Sequence, residues 1–217
     1  MKIITLIVSH YDYESVLFQY EWHKAMCQEI KVIWNIYEKE DCLNNVIQLD
    51  NNFNLQSHPK AYKTLAHIYA SFVNDYQADY YVLMESDAFI IKKGFDEKCV
   101  EHMFNKKIDA MFPTVTDSIL METQSSILGF VVISRQALEF YHHNKDITVW
   151  HEQDFVRCLA KNKFRVMPNP FIDCNVFKYL EDKKSLSIVD IKKYQNTTGV
   201  VHPVKADQYQ ILNELRK

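Results

Sequence analysis

Apolar residues in this chain gather into short dense runs, with segments of helical period between them. Ile3-Ile4-Thr5-Leu6-Ile7-Val8 and Val32-Ile33-Trp34-Asn35-Ile36-Tyr37 are nearly continuous β-branched stretches, the pattern of strands buried on both faces. Between them, Ser15 to Met26 reads as a helix whose bulky residues Val16, Phe18, Tyr20 and Trp22 are raggedly spaced. The asparagine-rich stretch Asn44 to Asn54 reads as a polar loop. Lys60 to Val73 then sets Tyr62, Leu65, Ala66, Tyr69 and Val73 at helical spacing and leads into a third buried-type strand, Tyr80-Tyr81-Val82-Leu83-Met84. This alternation predicts a mostly parallel sheet flanked by helices. Further on, Ala110-Met111-Phe112 and Ile127 to Ile133 predict strands, Arg135 to Tyr141 and Glu152 to Lys161 predict helices, and Lys163 to Met167 predicts a strand closed by Pro168 and Pro170. No repeat or flexible linker interrupts the pattern, so residues 1–217 read as one Rossmann-like α/β domain, with Lys183-Lys184 and Lys192-Lys193 on its solvated surface.

Composition narrows the function classes. With 217 residues, 47% hydrophobic and 24% charged, the chain has enough apolar surface for a globular core, which excludes disorder. A net charge of −3 with scattered lysines leaves no electrostatic footprint for nucleic acid. Five cysteines, an odd number without a C-x-x-C pair, argue against a disulfide framework or a structural zinc and for a reducing, cytoplasmic location. No apolar run approaches the roughly 20 residues of a membrane span, so any membrane contact is expected to be peripheral. Glycine is the telling count: Gly94, Gly129 and Gly199 are too few and too far apart for a Walker loop or a G-x-G-x-x-G turn. A phosphate, if bound, needs another device.

The third strand runs directly into Glu85-Ser86-Asp87. Parallel sheets bind ligands beyond the carboxyl ends of their strands, and residues i and i+2 of an extended segment point to one side. Two carboxylates converging there call for a cation, and hard oxygen ligands suit Mg²⁺ or Mn²⁺, through which a diphosphate could be held. The acid-x-acid pattern also occurs at Asp12/Glu14, Glu38/Glu40 and Glu152/Asp154. Only Glu85/Asp87 follows a buried strand at once and precedes another apolar step, Ala88-Phe89-Ile90-Ile91.

These residues carry a resemblance. Lys60-x-x-Lys63 at a helix start, followed by Ala78-Asp79-Tyr80-Tyr81-Val82-Leu83-Met84-Glu85-Ser86-Asp87-Ala88, resembles the helix and D-x-D segment of glycosyltransferases with the GT-A fold. Leu128-Gly129-Phe130-Val131-Val132-Ile133-Ser134-Arg135-Gln136-Ala137-Leu138 is similar to the acceptor-side segment of that superfamily, and His151-Glu152-Gln153-Asp154-Phe155-x-Arg157-x-Leu159 to its acidic helix start. The resemblance implies a GT-A-like fold, residues 1–110 binding the nucleotide-sugar and 111–217 the acceptor. It also implies a metal-dependent transferase moving a sugar from a nucleotide-diphosphate donor, UDP-sugar favoured, to a glycan or glycoconjugate hydroxyl.

Carried over by position, Asp87 would ligate Mn²⁺ or Mg²⁺, and Glu85 would bind the ribose, or the metal through water. The superfamily usually has Asp where this chain has Glu85. Val200-Val201-His202-Pro203 resembles the late histidine that completes many such metal sites, and a nitrogen ligand would favour Mn²⁺. Lys205 would neutralise the leaving diphosphate. Ser9, His10 and Tyr11 after the first strand, with Tyr37 after the second, would supply backbone groups and an aromatic face to the nucleotide. Lys63 and Ser86 join the donor-binding set, and Gly129 stands where a sugar ring would approach the backbone closely.

Asp154 is the candidate general base, with Glu152 orienting the acceptor hydroxyl or exchanging roles with it. Two residues apart on a helix project about 200° apart, so both share one crevice only if Glu152 lies in the cap. Phe155 and Leu159, four apart, face the core. A single base implies inversion at the anomeric carbon. Competing readings are a sugar nucleotidyltransferase, which typically has a glycine-rich basic loop where Ser9-His10-Tyr11-Asp12-Tyr13-Glu14 stands, and a non-catalytic carbohydrate-binding domain. A haloacid-dehalogenase-type phosphatase carries its D-x-D after the first strand, whereas Asp87 comes late.

Overall fold

The computed structural model describes residues 1–9, 12–36, 46–50, 72–113, 129–144, 151–173, 192, 194, 196–202, 204 and 209–214, with the backbone alone for 34–36, 46–50, 151–154 and 211. The first β-branched run forms β1 (Ile3–Ser9), buried along its whole length. The other expected runs form β2 (Ile30–Ile36) and β4 (Tyr80–Glu85), while β6 (Ala110–Phe112), β7 (Phe130–Ser134) and β8 (Val166–Pro168) follow in the second half. Together with β3 (Val46–Asp50) they make a seven-stranded sheet in the order β3-β2-β1-β4-β7-β6-β8. Strands β1 to β4 are mutually parallel, β6 and β8 are parallel, and β7 runs antiparallel to both its neighbours. The mostly parallel sheet is therefore as expected, with one reversed strand.

Alternate residues of the central strands enter two separate cores, which is why their sequences are apolar throughout. Ile4, Leu6, Tyr81, Leu83, Val131 and Ile133 face one side, packing with Phe72 and Val73 and with helices α3 (Arg135–Asn144) and α4 (His151–Lys161). Ile3, Ile7, Val82, Met84, Phe130 and Val132 face the other, covered by helices α1 (Tyr13–Lys24) and α2 (Phe95–Lys106). Helix α1 begins two residues before the expected Ser15 because the Asp12 side chain accepts from Ser15 N at 2.9 Å and caps it, which accounts for one of the acid-x-acid pairs as structural.

The expected Asn44–Asn54 loop is corrected: Val46–Asp50 is strand β3, paired with β2 at the edge of the sheet. Its apolar residues Val46, Ile47 and Leu49 are too few, and too closely flanked by asparagine, to stand out as a run. Helix α2 is an unanticipated element. Its apolar face, Phe95, Cys99, Val100 and Met103, is interleaved with charge, and its start is Gly94 at φ 71° rather than a capping side chain. Of the helix expected over Lys60–Val73, residues 60–71 lie outside the described residues and 72–75 are helical.

A second, two-stranded sheet pairs β5 (Phe89–Ile90) antiparallel with β9 (Val200–Val201). It is rooted in a third core made with Trp22 of α1 and with Tyr209 and Leu212 of α5 (Tyr209–Glu214). Gly199 packs where a Cβ would collide with the Phe95 ring, so this close approach of ribbon to α2 requires glycine. Among the described residues, no helix is long and apolar enough to cross a membrane.

Candidate metal and nucleotide site

Strand registers converge on one place. Val8 lies opposite Glu85, so the carboxyl ends of β1 and β4 are side by side, with Ser9 as the last, fully buried residue of β1. From the other flank Glu85 N donates to Gly129 O at 3.3 Å, which brings the backbone before β7 to the same point. Beyond β4 the chain turns at Ser86 and Asp87, where Ala88 N donates to Glu85 O at 3.1 Å, and enters β5. Ser86 is buried at the centre of this turn.

The ribbon supplies the histidine. Phe89 pairs with Val201, so the residue after β9, His202, falls beside the turn that precedes β5. Val204 N donates to Asp87 O at 2.8 Å and closes the arrangement. His202 Nε2 stands 3.1 Å from Asp87 Oδ1 and 3.7 Å from Glu85 Oε2. One ligand atom from each of Glu85, Asp87 and His202 lies within 4.8 Å of the other two. The His202 side chain is 8% exposed, whereas the Glu85 side chain is 36% exposed, so the group opens to solvent on the Glu85 side.

Electrostatics match this geometry. Burial disfavours the charged imidazole, but the hydrogen bonds and negative charges of Asp87 and Glu85 outweigh it and hold the His202 pKa up to about 9. Two carboxylates and one imidazole form a donor set suited to a divalent cation with mixed oxygen and nitrogen preference, Mn²⁺ above Mg²⁺. Without a cation, the proton on His202 takes its place between the acids.

A pH dependence follows. Because the folded-state pKa lies above the ordinary 6.5, the His202 contribution to stability is complete below pH 6.5 and is lost as pH rises through about 9. That contribution is up to about 3 kcal/mol, at roughly 1.4 kcal/mol per pH unit. Metal-free protein is expected to melt progressively lower across this window, while His202→Gln melts with a flatter profile. Cation binding must expel the same proton, so Mn²⁺ affinity is expected to rise with pH over the same window. Thermal denaturation in EDTA and Mn²⁺ calorimetry at several pH values check both arms.

The structure thus brings together Ser9, Glu85, Ser86, Asp87, Gly129 and His202. The expected residues His10, Tyr11, Tyr37, Lys63 and Lys205 lie outside the described residues. Glu152 and Asp154 are backbone positions in the first turn of α4, which begins at His151, so Glu152 is helical rather than a cap; their side chains lie outside the described residues. Phe155 and Leu159 of the same helix are fully buried in the first core, as their spacing predicts. Sequence reading overlooked the pairing of β5 with β9. Its signal was two short β-branched or aromatic pairs, Phe89-Ile90 and Val200-Val201, each within two residues of a candidate ligand.

A mostly parallel seven-stranded sheet with one reversed strand, flanked by helices on both faces, is a GT-A-like fold. Similarity is to a mannosyltransferase, PcManGT from Pyrobaculum calidifontis in complex with GDP-Man and Mn²⁺, at a TM-score of 0.55 and 8% identity over 77% of this chain and 54% of that one. The match therefore spans about half the length of that protein. A glycosyltransferase involved in the glycosylation of the major capsid of PBCV-1 matches over 99% of this chain and 98% of its own, at a TM-score of 0.51 and 9% identity. A CMP:2-keto-3-deoxy-manno-octonic acid synthetase complexed with CTP covers 77% of this chain and 89% of its own, at a TM-score of 0.48 and 11% identity. At such identities the likeness shows the fold alone. No protein-family model matches the sequence, and no curated protein matches it.

Proposed function

We propose that this protein is a metal-dependent glycosyltransferase moving a sugar from a nucleotide-diphosphate donor, UDP-sugar favoured, to a hydroxyl of a glycan or glycoconjugate. The observation that carries the proposal is the meeting of Glu85, Asp87 and His202 at the carboxyl end of β4, beside the buried end of β1. In a chain without a glycine-rich phosphate loop, this donor set is the device by which a diphosphate is held. Asp87 and His202 would hold Mn²⁺ or Mg²⁺, with Glu85 binding it directly or through water, or binding the ribose. When bound, the cation supplies charge neutralisation for the departing diphosphate.

The remaining work falls to the chain's own residues. Ser9, His10, Tyr11 and Tyr37, with Lys63 and Ser86, bind and orient the nucleotide over the ends of β1 and β2. Lys205, three residues after His202, neutralises the diphosphate from the C-terminal side. Residues 111–217 form the acceptor half, where Gly129 permits close approach of the sugar ring. Asp154 takes the proton from the acceptor hydroxyl as its oxygen attacks the anomeric carbon, and Glu152 orients that hydroxyl. Direct attack with one base inverts the anomeric configuration. The free thiols of Cys27 and Cys99 support a reducing, cytoplasmic setting.

Incubation with a panel of UDP- and GDP-sugars and Mn²⁺ tests the reading. Slow donor hydrolysis that stops in EDTA is the expected result. Release of pyrophosphate from a nucleoside triphosphate and a sugar phosphate would instead identify a nucleotidyltransferase. Absence of both, with no Mn²⁺-dependent nucleotide binding, would leave a carbohydrate-binding domain.

A further inference from the structure

The two-residue strand β5 is gripped on both edges, and only one grip comes from a strand. Ile91 N donates to Gly199 O at 2.9 Å, which turns the backbone groups of Phe89 and Ile91 toward β9. Those of Ile90 face the opposite edge, and both are taken by consecutive side chains of α1. Trp22 Nε1 donates to Ile90 O at 2.7 Å, and Ile90 N donates to His23 Nε2 at 3.3 Å. His23 Nδ1 lies 2.8 Å from Gln19 O, so Nδ1 carries the ring proton and donates it there, leaving Nε2 as the acceptor for Ile90. Trp22, His23 and Ile90 are all buried, and the Phe89 ring packs against both α1 rings.

Helix α1 also holds the segment that follows His202. Phe18 stacks on Tyr209 at 4.4 Å and 9°, and Gln19 Nε2 donates to the Tyr209 hydroxyl at 3.0 Å. One helix therefore anchors the chain three residues after Asp87 and the chain seven residues after His202. Between those anchors the two ligand segments touch through the bond from Val204 N to Asp87 O.

From this arrangement we infer that Trp22 and His23 are positioning residues for the cation donor set: by standing in for a third strand on the outer edge of β5, they fix Asp87 opposite His202. The inference rests on reading Glu85, Asp87 and His202 as a cation site. A donor set tolerates errors of about 0.5 Å, and a two-stranded ribbon alone is too weakly held to meet that tolerance.

Trp22→Phe keeps an aromatic ring in the cluster while removing the N–H donor and part of the ring bulk, and Leu138→Ala, which also removes buried volume, serves in the first core as a destabilised control far from the ribbon. In metal-free protein, Trp22→Phe is expected to lose amide-exchange protection at Ile91 and Val204 about tenfold more than at Leu83, while Leu138→Ala loses it evenly. Mn²⁺ affinity is expected to fall about tenfold in Trp22→Phe, the low end of what losing a ligand-orienting group costs, and to stay within about twofold in Leu138→Ala. His23→Gln, which keeps an acceptor for Ile90 N, is expected to retain affinity that His23→Phe loses. Even loss of protection across the sheet in Trp22→Phe, or unchanged ribbon protection and unchanged Mn²⁺ affinity, overturns the inference. If the wild type binds no Mn²⁺, the cation reading fails by itself, and the exchange measurements still decide whether α1 holds the ribbon.

Discussion

Asp87→Ala is expected to abolish Mn²⁺-dependent nucleotide binding, with Mn²⁺ affinity reduced about 100-fold or more, beyond the loss expected for a group that only orients a ligand. The reason is geometric. Asp87 Oδ1 is the carboxylate oxygen nearest His202 Nε2, at 3.1 Å, and the more shielded of the two acids, with a side chain 16% exposed. Glu85 at 3.7 Å is one methylene longer and open to solvent, so it cannot replace a fixed ligand. The substitution leaves the backbone bond from Val204 N to Asp87 O in place, so the ribbon survives and the loss is one of chemistry rather than folding. Asp87→Asn sharpens the test, because it keeps the shape and a hydrogen-bonding oxygen while removing the charge. In both variants the buried imidazole of His202 loses one of the two carboxylates that raise its pKa, so metal-free protein is also expected to lose part of its stability near neutral pH. Calorimetric titration of Mn²⁺ and of UDP with Mn²⁺ reads the result. Normal binding of both by Asp87→Ala would sink the central assignment.

Asp154→Asn should separate binding from turnover. A general base contributes roughly 10²–10⁴-fold, and that range is the expected fall in kcat, with donor and Mn²⁺ affinity within about threefold of wild type. Asp154 lies in the first turn of α4, and a helix N-terminus favours negative charge. Phe155 and Leu159, fully buried in the first core, fix the helix on the sheet. Asparagine at 154 preserves the size of the side chain, so a large loss of turnover reports the missing base. Product NMR gives a second reading: inversion at the anomeric carbon is expected, and retention would remove Asp154 from the base role even if turnover fell.

How much of this was legible beforehand depends on the range of the interactions involved. Strands β1, β2 and β4 were readable because a strand buried on both faces needs apolar residues at nearly every position, and Ile3–Val8 carries that requirement locally. Helix α4 was readable from Phe155 and Leu159. Strand β3 was not, since Val46–Asp50 is short and pairs with β2 alone at an edge. Nor was α2, where glycine replaces the capping side chain that would have marked its start. Of four acid-x-acid pairs, the sequence singled out Glu85/Asp87 by the buried strand before it. The fold separates two of them by their partners: Asp12, exposed, caps α1, and Glu85/Asp87 meets a histidine.

The sequence by itself determined where strands would be buried, that no glycine nest could hold a phosphate, and that two carboxylates would emerge together at a strand end. These are properties of neighbouring residues and of composition. The tertiary structure decided that His202 stands against Asp87 and Glu85. That contact depends on the register Phe89↔Val201, and the register depends on Trp22, Phe18 and Tyr209 packing from distant parts of the chain around a two-residue strand. A strand so short has no periodicity to announce its partner, so the pairing that assembles the donor set is fixed by long-range packing and hydrogen bonds.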